Sequence, residues 1–323
     1  MKFKVFVDGQ EGTTGLQIQE RLLKRSDVEI LQIDSHLRKD SKARAKLINS
    51  SDITFLCLPD FAAKESATLC TNPNTRIIDA STAHRTHPDW AYGLPELSST
   101  FRENIKKSRR ISNPGCHSTA FILGVYPLIT NGILPKSTLF SIYSITGYSG
   151  GGKQLIEDYE SKIQASNSQT NESIFAPSPY ALSLTHKHIP EMKKYCELEH
   201  TPFFNPILGP FYKGMAVTTS LFPSQFSKKI SPKNLVEILS THYKDSHFIE
   251  VMPFEEQPTL NNGRLDCTIC NDTNKAKLYV FGNSEVMQVT TIIDNLGKGA
   301  SGAAIQNMNI CLGLDEKTGL SCF

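Results

Sequence analysis

Cys116 stands in the run Ile111-Ser112-Asn113-Pro114-Gly115-Cys116-His117-Ser118-Thr119-Ala120, where a breaker cluster gives way to an apolar stretch. Asn-Pro-Gly interrupts regular structure, and Thr119 to Leu128 is apolar enough on most faces to form a buried helix. Cys116 is therefore expected at a loop-to-helix junction, where unpaired backbone N–H groups and the positive end of the helix dipole favour a thiolate. An unperturbed thiol, with a pKa of about 8.5, is only a few per cent ionised at neutral pH. The same helix start, with the hydroxyls of Ser118 and Thr119, suits a small anion such as phosphate. Two readings of Cys116 stand side by side: a nucleophile beside an anion site, or a small side chain filling a core gap.

A second reactive group lies in Thr185-His186-Lys187-His188-Ile189-Pro190-Glu191-Met192. No partners at ligand spacing support a metal pair, so one of the two histidines is expected to be a general acid/base and the other structural. Residues two apart in an extended segment project to the same side, so spacing does not choose between them. Glu191 follows His188 closely enough to orient its imidazole or to meet a substrate amide, which favours His188. An imidazole with a pKa near 6.5 already suits proton exchange at neutral pH.

These groups need a scaffold, and the N-terminal half supplies the pattern of one. Lys4-Val5-Phe6-Val7-Asp8 reads as a strand, Gly9-Gln10-Glu11-Gly12-Thr13-Thr14-Gly15 as a glycine turn, and Leu16, Ile18, Leu22 and Leu23 keep helical spacing. Strand, glycine turn and helix form the phosphate cradle of a dinucleotide site, here spaced GxxGxxG. A second strand, Val28 to Ile33, ends in Asp34-Ser35-His36-Leu37-Arg38-Lys39. In such a fold this is the ribose position, where an acid favours NAD and cations with a hydroxyl favour the 2'-phosphate of NADP. Asp34 opposes Ser35, Arg38 and Lys39, and the two cations and the hydroxyl tip the expectation to NADP(H).

Helix over Ala43–Ile48, strand over Asp52–Leu58, helix over Ala62–Leu69 and strand over Thr75–Ile78 continue the alternation. This predicts a parallel, doubly wound sheet, whose ligands lie outside the carboxyl ends of the strands. Asp79-Ala80-Ser81-Thr82-Ala83-His84-Arg85 falls at such an end, which makes Arg85 a candidate for gripping a substrate anion with its planar fork. Beyond the Cys116 helix the rhythm changes. Leu139–Thr146 reads as a strand followed by a flexible glycine loop, Gly147–Lys153, and Ser161–Ser173 as a polar surface excursion. Strand-like runs at 203–210, 216–222, 247–253, 267–271, 277–282 and 286–293, with little helix, predict a largely antiparallel second sheet. An apolar helix follows from Asp294 through Leu312.

At 323 residues two domains are the natural expectation. A net charge of +2 gives no basic footprint for nucleic acid or an anionic membrane surface. No apolar run reaches a membrane span, and the N-terminus enters a strand pattern directly, so a soluble cytoplasmic protein is expected. The eight cysteines are widely spaced, as reduced thiols are, and the lone Cys267-Thr268-Ile269-Cys270 lacks the second pair a zinc site needs. No metal is expected.

Taken together, DGQEGTTG, IIDASTAHR, WAYGLPEL, SNPGCHST, GYSGGGK, HKHIPEM and DNLGKGASGAAIQNMN, in that order, resemble the N-acetyl-gamma-glutamyl-phosphate reductases of arginine biosynthesis in their shorter form. More distantly the chain is similar to aspartate-semialdehyde dehydrogenase. The resemblance implies an α/β fold in which a Rossmann-like parallel-sheet dinucleotide domain (1–115 with 295–323) accompanies an α+β domain with a largely antiparallel mixed sheet (116–294) for substrate and oligomerisation. It implies a Cys116 thioester formed from an acyl phosphate and reduced by NADPH, with His188 managing protons. Gly9, Gly12, Thr13, Thr14, Gly15, Ser35, Arg38, Ser149, Gly150, Gly151 and Asn295 are then expected at the cofactor, and Arg85, Asn113, Ser118 and Glu191 at the substrate. A homodimer or homotetramer is implied. Lys213 stands where longer members carry arginine, which leaves a bidentate anion contact there open. Rival readings are a related aspartyl or aminoadipyl phosphate reductase and a non-catalytic NADP-sensing module, which would need neither Cys116 nor His188.

Overall fold

The computed structural model describes residues 2–165, 176–255 and 260–321. The chain forms two compact units, one from Met1–Gly115 and Ala300–Ser321, the other from Cys116–Gly299.

The first unit runs β1 (Phe3–Asp8), α1 (Thr13–Leu23), β2 (Val28–Leu31), α2 (Ser41–Ser50), β3 (Ile53–Leu56), α3 (Asp60–Thr68), β4 (Arg76–Asp79), β5 (Ala91–Tyr92), α4 (Ser99–Lys107) and β6 (Arg110–Ser112). Its six strands make one sheet in the order β2-β1-β3-β4-β6-β5, parallel throughout. Both faces are covered, so Val5, Phe6 and Val7 are all buried and the strand shows no polar alternation. Ile18 and Leu22 of α1 meet Val5, Phe55 and Ile78 in a core completed by Ala304, Ile305 and Met308 of the C-terminal helix, Gly302–Cys311. The end of β1 is tied down by a buried carboxylate: Asp8 accepts from Arg44 Nη2 at 2.9 Å and from Ser66 Oγ at 2.6 Å. The parallel, doubly wound sheet matches the sequence-based expectation; α4, capped by Ser98 through Phe101 N, does not appear in it.

The second unit runs α5 (Cys116–Thr130), β7 (Ser141–Gly147), α6 (Lys153–Ala165), β8 (Ser178–Pro179), α7 (Ile189–Tyr195), β9 (Phe203–Gly209), β10 (Met215–Leu221), α8 (Pro232–Tyr243), β11 (Ile249–Val251), β12 (Ala276–Gly282) and β13 (Met287–Ile293). The sheet order is β11-β12-β13-β10-β7-β9-β8. Its centre, β12 through β7, is antiparallel, while β7–β9 and β11–β12 are parallel pairs, so the sheet is mixed. The sequence leads to three further corrections. Cys267–Asn271 is a turn, because Asp266 accepts from both Thr268 N (2.8 Å) and Thr268 Oγ1 (2.7 Å) and folds the segment locally. The loop Gly147–Lys153 is a 3-10 turn at Tyr148–Gly151 leading into α6, with Tyr148 stacked on Tyr159 at 4.6 Å. Ser161 to Ala165 belong to α6; the rest of the expected excursion, 166–173, lies outside the described residues. Helix α8 is also unforeseen, although Ser231 and Asn234 form a capping box around Pro232.

Helix α5 is buried on nearly every side, as its apolar sequence demands, and packs against β10, β13, α7 and α8. It contains Pro127, which has no N–H to give the carbonyl four residues before it. That carbonyl, Leu123 O, instead accepts from Tyr243 Oη of α8 at 2.7 Å. One tyrosine thus repairs the helix that begins with Cys116. Tyr243→Phe leaves the carbonyl buried and unsatisfied and is expected to cost about 1–3 kcal/mol of folding stability. Urea unfolding measures this; an unchanged midpoint would mean that the carbonyl is satisfied without the hydroxyl.

Candidate active site

In the first unit the glycine turn is shaped by its own backbone. Gly9 has φ +90°, and a Cβ there would drive into the Cys57 carbonyl; a Cβ on Gly15 would drive into Gly9 O. Gly12 is different, its nearest Cβ neighbour being Gly9 O at an ordinary 3.6 Å. It is the N-cap of α1 and offers no side-chain cap. The first helical backbone bond is Leu16 N to Gly12 O, so the N–H groups of Thr13, Thr14 and Gly15 bond to no protein acceptor among the described residues. Three donors at the positive end of an uncapped eleven-residue helix fit the pyrophosphate of a dinucleotide. Arg38 is exposed and forms an ion pair with Glu11 of this same turn; Ser35 is exposed beside it in sequence. The ribose-end residues and the glycine turn are thereby brought together.

Arg85 ends a loop organised by one carboxylate. Asp79, fully buried at the end of β4, accepts from Ser81 N (2.9 Å), Ser81 Oγ (2.8 Å) and pairs with His84 Nδ1 (2.6 Å). The His84 ring lies flat on Trp90, with centroids 4.0 Å apart and planes 9° apart. Arg85 itself is buried and gives Nη2 to Ala80 O at 3.0 Å, a further strut across the loop. Asn113 is committed within the unit: its Nδ2 donates to Ala300 O at 2.9 Å and its Oδ1 accepts from Asn307 at 3.2 Å. That amide ties the chain entering Cys116 to the C-terminal segment.

In the second unit Cys116 is the first residue of α5 and is partly accessible. Gly299 packs against it: a Cβ on Gly299 would lie 2.7 Å from Cys116 Cβ. Ser118 and Thr119, one turn in, are wholly buried. Three imidazoles gather behind the thiol-bearing residue. The His117 ring contacts His186 (5.4 Å) and His188 (5.5 Å), and these two lie 4.7 Å apart edge to face. His117 is buried, with Nδ1 2.9 Å from Ser144 Oγ and Nε2 2.8 Å from Tyr180 Oη. Burial, reinforced by the charges of His186 and Lys187, pushes its pKa down to about 3, so it is neutral at any working pH. His186–His188 is a turn, not an extended segment: Ile189 N bonds His186 O at 3.0 Å, and His188 N donates to His186 Nδ1 at 3.1 Å. His186 Nδ1 is therefore an acceptor, and a proton there would break the bond. His188 caps α7, and Glu191 is buried in the same first turn.

Ser149 and Asn295 also come together. Asn295 Nδ2 donates to Ser149 Oγ at 3.0 Å, while its Oδ1 accepts from Gly214 N at 2.8 Å. Gly150 lies against the same amide, and Gly151 is pressed against Leu155. Lys213 forms an ion pair with Asp272. Among the described residues no group of three His, Cys, Asp or Glu side chains is set to hold a metal ion.

Residues 4–108 match the family model described as semialdehyde dehydrogenase, NAD binding domain, and residues 116–295 match the semialdehyde dehydrogenase dimerisation domain. The chain is 43% identical over 322 residues to N-acetyl-gamma-glutamyl-phosphate reductase 2 of Nostoc sp., covering 99% of each. It belongs to the N-acetyl-gamma-glutamyl-phosphate reductase family. The reductase of Brucella ovis is likewise 43% identical over 316 residues, 97% of this chain and 100% of that one. Among solved structures, aspartate semialdehyde dehydrogenase II of Vibrio cholerae complexed with ASA is similar in fold, with TM-score 0.72 at 15% identity over 97% of this chain and 99% of the other. Aspartate semialdehyde dehydrogenase with NADP from Candida albicans gives TM-score 0.63 at 14% identity over 96% and 98%.

For this reductase family member, sequence reading misses His117, Tyr180, Ser144 and Gly299 at the site. Only the polar residue directly after Cys116 carries a signal in sequence; the others meet through folding. The glycine geometry makes a sharp expectation. Gly12→Ala keeps NADP(H) affinity and thermal midpoint near those of the parent, whereas Gly15→Ala loses both. Fluorescence titration and thermal unfolding compare them, and equal behaviour of the two variants would contradict the assigned turn.

Proposed function

We propose that the chain catalyses NADPH-dependent reduction of N-acetyl-gamma-glutamyl phosphate to N-acetyl-glutamate semialdehyde with release of phosphate, a step of arginine biosynthesis. The observation that carries the reading is 43% identity over 99% of both chains to a reductase of that name, joined to a cysteine at the head of a buried helix beside three histidines.

The uncapped N–H groups of Thr13, Thr14 and Gly15 would hold the pyrophosphate, and Ser35 and Arg38 the 2'-phosphate, Arg38 turning from Glu11 to do so. Ser149, Gly150, Gly151 and Asn295 would border the nicotinamide end. NADPH, when bound, supplies the hydride. The rest is work for the protein's own groups. Cys116 gives its proton to His188 and attacks the acyl carbon; the C–S bond forms, the C–O bond to phosphate breaks, and a thioester remains. Arg85 and the head of α5 stabilise the charge on the departing phosphate, which takes up one proton from solvent. After reduction the thiohemiacetal collapses, releasing the semialdehyde and the Cys116 thiolate, which recovers its proton from His188. His188 is the proton carrier by exclusion, because His117 is held neutral by burial and His186 already accepts a backbone N–H at Nδ1. Glu191, buried three residues along in the first turn of α7, would orient this imidazole or meet the substrate amide. Asn113 and Ser118 would contact the substrate. We further propose that the chain works in the cytoplasm as a homodimer or homotetramer, a reading supported by the match to a dimerisation domain. Among the described residues no helix is long and apolar enough to cross a membrane.

Phosphate-dependent reduction of NADP by the semialdehyde tests the proposal. Cys116→Ser is expected to keep cofactor binding and lose turnover by several orders of magnitude, and His188→Asn to lose about a hundred- to ten-thousand-fold, with a smaller loss for His186→Asn. Arg38→Ala is expected to weaken NADP by about 1.5–3 kcal/mol and leave NAD unaffected. A Cys116→Ser variant with substantial turnover would end the thioester mechanism.

A further inference from the structure

His117 is the centre of a short chain of neutral groups, and the direction of its hydrogen bonds can be worked out. Ser144 Oγ is wholly buried on β7, and its one hydrogen-bond partner among the described residues is His117 Nδ1. If Nδ1 carried the imidazole proton, the Ser144 hydroxyl hydrogen would be buried with nowhere to go, which is costly. Ser144 therefore donates to Nδ1, which makes His117 the Nε2–H tautomer. Nε2–H then donates to Tyr180 Oη across 2.8 Å. With its oxygen accepting from His117, the Tyr180 hydroxyl must send its own hydrogen elsewhere, and no other group among the described residues receives it. The phenol keeps that proton: burial raises its pKa above the ordinary tyrosine value, and the nearby charge of Cys116 raises it further. The loop behind Tyr180 is held in a costly conformation, with Ala181 at φ +53° and Leu184 at φ +59°, backbone strain that collects at functional sites.

We infer that Tyr180 is a further catalytic residue, whose hydroxyl donates to the oxygen of the tetrahedral adduct formed on Cys116, and that Ser144 and His117 are positioning residues that orient it. When the thiolate adds to the acyl carbon, the C–S bond forms and the carbonyl π pair moves onto oxygen. The Tyr180 O–H meets that charge; the adduct then collapses by expelling the leaving group, and the tyrosine keeps its proton throughout. A neutral donor suits this position, because a charged histidine so close to the thiol would compete with His188 for the proton. The inference rests on Cys116 being the acyl-accepting thiol.

The test separates acylation from general reactivity of the thiol, using the full-length protein and no natural substrate. Acylation of Cys116 by p-nitrophenyl acetate passes through an oxyanion; alkylation by iodoacetamide does not. Both rates are followed at the Cys116 peptide by mass spectrometry, which sets the other cysteines aside. Tyr180→Phe is expected to slow acylation by about a hundred- to a thousandfold with alkylation unchanged. Ser144→Ala is expected to slow acylation less in the parent and not at all in the Tyr180→Phe background. Unchanged acylation in Tyr180→Phe, or acylation and alkylation falling together, would overturn the inference. Failure of the semialdehyde assay with the parent protein would instead count against the proposed substrate and leave these rates decisive.

Discussion

The absence of a side chain at Gly299 sets where Cys116 can be. The backbone of Gly299 is pressed against Cys116, and the only way to bring it so near is to carry no Cβ. That backbone is itself pinned: Asp294 O accepts from Gly297 N (3.1 Å) and Gly299 N (2.9 Å), and the Asp294 carboxylate accepts from Leu296 N and Asp272 N. The result is a turn of π-helix at Gly297–Ser301, an irregularity that recurs at functional sites. Lys298, in the same turn, is buried with Nζ 5.6 Å from the Phe248 ring. Helix α5 is buried along its length, so a fixed head means a fixed helix, and with it fixed places for Cys116 and His117.

Protonation follows from that packing. Three histidines within contact distance cannot all ionise, and the structure gives two of them other duties. His117 is buried and bridges two hydroxyls, and His186 receives the N–H of the residue two ahead. That leaves His188, at the head of α7 with Glu191 buried in the same first turn. The same economy holds in the first unit, where one carboxylate, Asp79, organises the whole loop that ends in Arg85.

Much of this is legible in sequence, and the division has physical reasons. The strand–glycine–helix start declares itself because two of its glycines answer to steric limits and its apolar residues keep the helical period. The head of α5 is legible because Asn-Pro-Gly cannot continue into a helix. Cys267–Asn271 misleads because alternation is a period-two signal that a turn capped by Asp266 also satisfies. Helix α8 escapes notice among strand-like runs, although its capping box and the spacing of Leu235, Leu239 and Tyr243 are present. Ser144, Tyr180 and Gly299 are illegible for another reason: each is ordinary in its own segment, and only the sheet, the strained loop and the π turn bring them to Cys116 and His117.

The claim on which the account turns is that His117 and His186 each accept a hydrogen bond at Nδ1, which leaves His188 as the one ring of the three whose Nδ1 is not so committed. Nitrogen-15 NMR of the selectively labelled histidines, followed against pH in the parent and in single histidine variants for assignment, reads tautomer and charge at each ring directly. The account predicts that at neutral pH His117 and His186 both carry the proton on Nε2 and leave Nδ1 bare, and that His117 keeps this form until about pH 3. An Nδ1–H signal for His117 or His186 at neutral pH would contradict it.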